Sequence, residues 1–196
     1  MSKSNCLFHV NRLMNFDRMN LSFVKFSRFK DECLLKLGDL FYEECMKSFD
    51  CLPIAALVHG QLFCIHGCIS PEIRHIKEVI DIHRTCEPPT KGALCDILWA
   101  DPTDGYDNER VEQKSEMFTH NGPRGCSYNV SYKAMCKFLD DNDLLCVIRA
   151  HQVQSAGCKM YKKHEKTLFP TLVTIFSAPN YCKKKIFSIK ENKKCP

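Results

Sequence analysis

Three short apolar runs, each ending abruptly at a polar cluster, constrain this chain more than any other feature. "LFCI" runs into His66, "LLCVI" (144–148) into "RAHQ" at Arg149 to Gln152, and "TLVTIF" (171–176) into "SAPNY" at Ser177 to Tyr181. Runs of this length, rich in β-branched and other apolar residues, have the pattern of buried strands. Ligand groups in α/β folds collect in the loops at strand ends. Three such ends would deliver His66, His151, and Asn180 with Tyr181.

The segments between the runs suggest how they are connected. Phe26, Phe29, Cys33, Leu37, Leu40 or Phe41, and Cys45 recur at helical spacing, so residues 26–49 are expected to form one or two amphipathic helices that end before Pro53. "IAALV" and "LFCI" flank "HGQ", which contains Gly60, the pattern of a hairpin. Residues 75–83 and 131–140 have the spacing of short helices. Helices alternating with buried strands predict an α/β protein.

Composition narrows the class. A chain of 196 residues that is 44% hydrophobic can bury the core of one domain, or most of one. Its longest apolar run, Leu52 to Val58, is broken by Pro53 and falls short of the roughly 20 residues a membrane span needs. "MSKSNCLFHVNR" shows no secretory pattern, so the expected location is cytoplasmic, with the nucleus as the alternative. Fourteen cysteines are scattered with no C-x-x-C pair, which favours reduced, buried thiols over a zinc knuckle or disulfide framework. The net charge of +5 lies in residues 183–196, where six lysines face one glutamate. The rest of the chain is balanced, so neither a nucleic-acid nor a membrane partner is expected, and the basic tail is expected to be a solvated chain end.

The strand-end residues suggest a chemistry. Neutral imidazoles such as His66 and His151 can ligate a borderline metal, and Arg124, in a loop with Gly122, Pro123 and Gly125, offers the planar fork that suits a phosphoryl group. The structural alternatives are satisfied strand-end histidines, a surface salt bridge for Arg124, and a simple strand exit for "SAPNY". His59, His75, His83, His120 and His164 are expected to be structural, as are Trp99 and Asp101 in the turn "LWADP".

Five stretches taken in order sharpen this. "LPIAALVHGQLFCIHGCISPEI", "CDILWADP", "FTHNGPRGCSY", "LLCVIRAHQ" and "FPTLVTIFSAPNY" resemble the phosphoprotein (serine/threonine) phosphatase family, and within it the calcineurin branch. The resemblance divides the chain into a divergent segment 1–20, the C-terminal part of a catalytic domain at 21–182, and a basic tail at 183–196. It implies a metallophosphoesterase-like β-sandwich flanked by helices, incomplete at its N-terminal side, acting on phosphoserine and phosphothreonine in proteins. Two divalent ions, Fe/Zn or Mn, would activate a bridging water for in-line attack on phosphorus. His66 and His151 would be ligands of one metal, Arg124 a phosphate clamp, and Tyr181 a wall of the pocket.

The departures from the family pattern are as informative. The motifs G-D-x-H-G and G-D-x-x-D-R-G, which supply the family's metal carboxylates and a second phosphate arginine, do not occur here. Gly38-Asp39 falls in the helical region, where Asp39 is expected to face solvent. The counterpart of G-N-H-E is Asn15-Phe16-Asp17, which keeps a candidate ligand amide in Asn15 but puts a phenyl ring where the family has its proton donor. Cys68 replaces a glycine in a turn that it is expected to crowd, and the loop after Tyr181 is short. Imidazoles without acidic neighbours do not offset a pair of divalent cations, so the expectation is a phosphatase chain inactive or severely impaired as written. The alternatives are a non-catalytic module competing for phosphatase partners, and phosphate or metal binding without turnover. Absent neighbouring strands are expected to leave "IAALV" and "TLVTIF" partly exposed. The segments with which the calcineurin branch binds a calcium-sensing regulatory subunit and calmodulin have no counterpart before Pro196, so neither partner is expected.

Overall fold

A computed structural model describes residues 28–111 and 116–177. Asn15, Asn180, Tyr181, the segment 1–20 and the tail 183–196 lie outside the described residues. The described chain is a mixed α/β fold with a five-stranded and a three-stranded sheet.

Helices α1 (Arg28–Lys36) and α2 (Asp39–Asp50) match the amphipathic region read from the sequence. They are separated at Gly38, whose φ of 87° is left-handed and whose N–H bonds to the Cys33 carbonyl at 2.9 Å. Among the described residues, Cys33 alone of the predicted apolar positions in this region is buried. Leu35 is 86% and Leu40 71% exposed. The period is helical, but the described residues do not cover the apolar face. Asp39 is exposed in the first turn of α2, as expected.

Strands β1 (Ala55–Val58) and β2 (Leu62–Ile65) form the predicted antiparallel hairpin, with His59 and Gly60 both at positive φ in the connection. β2 pairs in parallel with β6 (Cys146–Arg149), and β6 with β8 (Leu172–Ile175). The antiparallel edge strand β7 (Cys158–Met160) gives the order β1-β2-β6-β8-β7. Parallel strands are covered on both faces, which is why the central runs read as continuous apolar stretches. In "TLVTIF" the partial exposure expected is confined to one face: Val173 and Ile175 are half-buried, whereas Thr171, Leu172 and Thr174 are fully buried. On the edge strand β1, by contrast, Leu57 and Val58 are exposed.

Helix α3 (Ala93–Trp99) precedes the smaller sheet, in which β3 (Asp101–Pro102) runs parallel to β5 (Tyr128–Val130) and β5 antiparallel to β4 (Phe118–His120). Helix α4 (Tyr132–Asp141) is capped by Ser131, whose hydroxyl accepts from the Ala134 N–H at 3.1 Å. Tyr132, Met135, Cys136 and Leu139 recur at three- and four-residue spacing on its buried face, and Phe138 meets Phe63 of β2 at 5.8 Å between ring centroids. The short helix expected at 75–83 is a 3₁₀ helix, Ile76–Asp81, in which the Glu78 N–H bonds to the His75 carbonyl three residues back at 3.0 Å. The cysteines among the described residues are all free thiols.

Candidate active site

Because β2, β6 and β8 are parallel, their C-terminal ends lie along one edge of the sheet. The residue after β2 is His66, and β6 ends on Arg149, followed by Ala150 and His151. The Ala150 N–H continues the register by bonding to the His66 carbonyl at 3.0 Å. His151 then turns at φ 60°, a left-handed conformation uncommon for a residue with a Cβ. This turn brings its Nδ1 to 3.3 Å from His66 Nε2. The two predicted imidazoles are therefore in contact, crossed edge to face at 70°.

Gly67, the next residue, packs its backbone directly against α3. Its N–H bonds to the Ile97 carbonyl of α3 at 2.5 Å, and a Cβ there would lie 2.6 Å from the Leu98 carbonyl carbon. Only a bare backbone fits. Cys68, expected to crowd the same turn, does not: it is 0% exposed and belongs to the hydrophobic core.

The group that organises the site is Asp101, which the sequence suggests only as a structural turn residue. Its Oδ1 accepts from Arg149 Nη2 at 2.8 Å, and its Oδ2 accepts from Arg124 Nε at 2.9 Å and from Asn121 Nδ2 at 3.3 Å. Arg149 is almost fully buried and donates further to the carbonyls of Gly67 and Ala100 and to Gln152 Oε1. A buried guanidinium with its donors used in this way is the form in which such a charge is tolerated. Arg124 is more open, with its side chain 30% exposed, and lies over the Trp99 ring at 6.0 Å. It is thus neither a free clamp nor a plain surface salt bridge. Asp101 fixes its Nε, and among the described residues its Nη atoms have no hydrogen-bond partner.

Electrostatics keep both imidazoles neutral. Burial pushes the His66 pKa down to about 3, and the Arg149 and Arg124 charges add to the effect. His151 is also held well below its ordinary value, by burial first, then by His66 and the two arginines. His66 Nδ1 and His151 Nε2 are buried with no hydrogen-bond partner among the described residues. His151 Nε2 comes within 4.0 Å of Asp101 Oδ1.

The described residues do not fit a pair of divalent ions. No three His, Cys, Asp or Glu side chains gather as a ligand group among them. Among the described residues the carboxylate near the imidazoles is that of Asp101, already committed to two guanidinium groups, so it cannot also offset two divalent cations. What the site can do is hold an anion. A pocket of about 480 Å³ opens beside it, lined by Asp101, Asp104, Thr119, Asn121, Arg124, Asn129 and Gln152 together with Pro102, Thr103 and Pro123.

The other histidines follow the structural reading where the contacts are clear. His164 is buried with its Nε2 3.5 Å from Asp140, and His120 is exposed on β4. Sequence reasoning missed Asp101, Asn121 and the anchoring role of Arg149. A signal was present for the last: a guanidinium closing a run as apolar as "LLCVI" either exits to water or is buried, and a buried one needs a carboxylate partner.

The family model described as calcineurin-like phosphoesterase matches residues 15–155. The chain is 49% identical over 157 residues to the serine/threonine-protein phosphatase 2B catalytic subunit A1 of Saccharomyces cerevisiae, covering 78% of this chain and 28% of that protein. It is 41% identical over 174 residues to subunit A2 of the same organism, covering 78% and 29%. A solved Saccharomyces cerevisiae protein serine/threonine phosphatase, described as similar to human phosphatase PP5, superposes with a TM-score of 0.65 at 26% identity, over 92% of this chain and 52% of that one. The chain thus spans under a third of the length of these curated relatives. With the strand-end histidines and the arginine pair placed as they are, the match extends from sequence to fold, and the chain belongs to the calcineurin-like phosphoesterase family.

Proposed function

We propose that this chain is the phosphate-recognising part of a calcineurin-like protein serine/threonine phosphatase, directed at phosphoserine and phosphothreonine in proteins and severely impaired in hydrolysis as written. The observation that carries this reading is Arg124, fixed through Nε on buried Asp101 at the edge of an open polar pocket. A fork anchored on one side is preorganised to meet phosphoryl oxygens with its remaining N–H groups. Gln152, held through its Oε1 by Arg149, lines the same pocket.

Family members work with divalent metal, and two ions, Fe/Zn or Mn, would supply the activated water in a complete site. The sequence lacks the carboxylate motifs for such a pair, and Phe16 stands where a proton donor is expected. General acid catalysis alone is worth about 10²- to 10⁴-fold, so a chain without these groups loses most of its rate.

Binding of a phosphoserine peptide to the full chain, with metal content and hydrolysis measured on the same sample, tests the proposal. Phosphate-dependent binding that falls about tenfold or more in Arg124→Ala, without turnover, is the expected result. Two equivalents of bound metal together with hydrolysis would overturn the impaired reading.

A non-catalytic module competing for phosphatase partners is the second reading. The exposed apolar residues Leu35, Leu37 and Leu40 of the α1–α2 region favour it, because they offer surface that another protein could bury.

A further inference from the structure

The pocket beside Arg124 holds groups of opposite character. Arg124 offers unspent Nη donors, whereas Asp104 lines the same pocket with a carboxylate that has neither an ion pair nor a hydrogen bond among the described residues. Asp101, three residues earlier, is spent on Arg124 and Arg149. Asn129 commits its Nδ2 to the His120 carbonyl, which leaves its Oδ1 as a second acceptor in the pocket. A ligand carrying only a phosphate would use the donors and leave the acceptors to water.

We infer that Asp104 is a specificity-determining residue: it selects phosphopeptides that carry a lysine or arginine close in sequence to the phosphorylated residue. The inference rests on the reading of Arg124 as the phosphate clamp and adds the chemistry of the neighbouring side chain. Asp104 lies three positions after the aspartate that anchors Arg124, so their Cα atoms are at most about 11 Å apart. An extended peptide advances about 3.3 Å per residue, which places the selected cation within about three residues of the phosphate. Asp104 itself is exposed at the rim, where a flexible basic side chain can reach it without either charge being fully desolvated.

Fluorescence anisotropy with the full chain tests this, using labelled phosphoserine peptides that carry a single arginine at each of the three positions on either side, their alanine counterparts, and unphosphorylated controls. At least one arginine position is expected to bind about threefold tighter than alanine at low salt, the range of an exposed ion pair. Asp104→Asn should erase that preference while keeping the dependence on phosphate, and Asp104→Lys should shift it toward a glutamate at the same position. Equal binding of arginine and alanine peptides, or a preference that survives in Asp104→Asn, overturns the role of Asp104 and leaves the clamp standing. Loss of phosphate dependence in the unsubstituted chain overturns both.

Discussion

Asp101 Oδ1 accepts from Arg149 Nη2 at 2.8 Å, with the carboxylate side chain 6% and the guanidinium side chain 0% exposed. The same carboxylate holds Arg124 on its other oxygen. One acid therefore balances two cations that come from different parts of the chain, and the placement of both arginines depends on it.

Removing that acid leaves Arg149 buried without its counter-charge. Asp101→Ala is expected to destabilise the fold by about 3–5 kcal/mol, the cost of breaking a buried pair from one side. Urea unfolding monitored by Trp99 fluorescence measures it, and a midpoint unchanged from the parent chain would show that the pair contributes little.

Gly67→Ala would place a methyl group 2.6 Å from the Leu98 carbonyl carbon and 2.7 Å from the Trp99 backbone nitrogen. Backbone cannot rotate out of the way, so α3 must shift. A loss of about 1–3 kcal/mol is expected, typical of overpacking, and thermal unfolding of the variant checks it.

Acid should weaken the fold through the imidazoles. The unfolded His66 takes up a proton near its ordinary value of 6.5, whereas in the native state it does so only at about 3. Its contribution is therefore fully present above pH 6.5 and is lost as pH falls toward 3. The slope is about 1.4 kcal/mol per pH unit for this residue, and His151 acts in the same direction. Urea midpoints at pH 7.5 and 5.5 test the sign, and His66→Gln should flatten the dependence.

Ser131→Ala removes the cap of α4. The lost acceptor for the Ala134 N–H should cost about 1 kcal/mol. Differential scanning calorimetry of the variant reads it, and an unchanged transition would mean that solvent replaces the cap.

The apolar runs determined by themselves where the central strands lie, and their polar ends named His66 and His151 as strand-end residues, because buried parallel strands need continuous apolar sequence and exits that can face water. The spacing of α4 and the Gly60 turn were equally local and equally legible. Asp101 was not, since its importance comes from Arg124, 23 residues away, and Arg149, 48 residues away. Nor could spacing show that Cys68 packs into the core rather than crowding its turn, or that the α1–α2 face lies uncovered by the described residues. Local pattern records the period and polarity of an element. Which charges face one another across 50 residues is decided only when the chain closes on itself, because the cost of burying an unpaired ion is set by its neighbours in space.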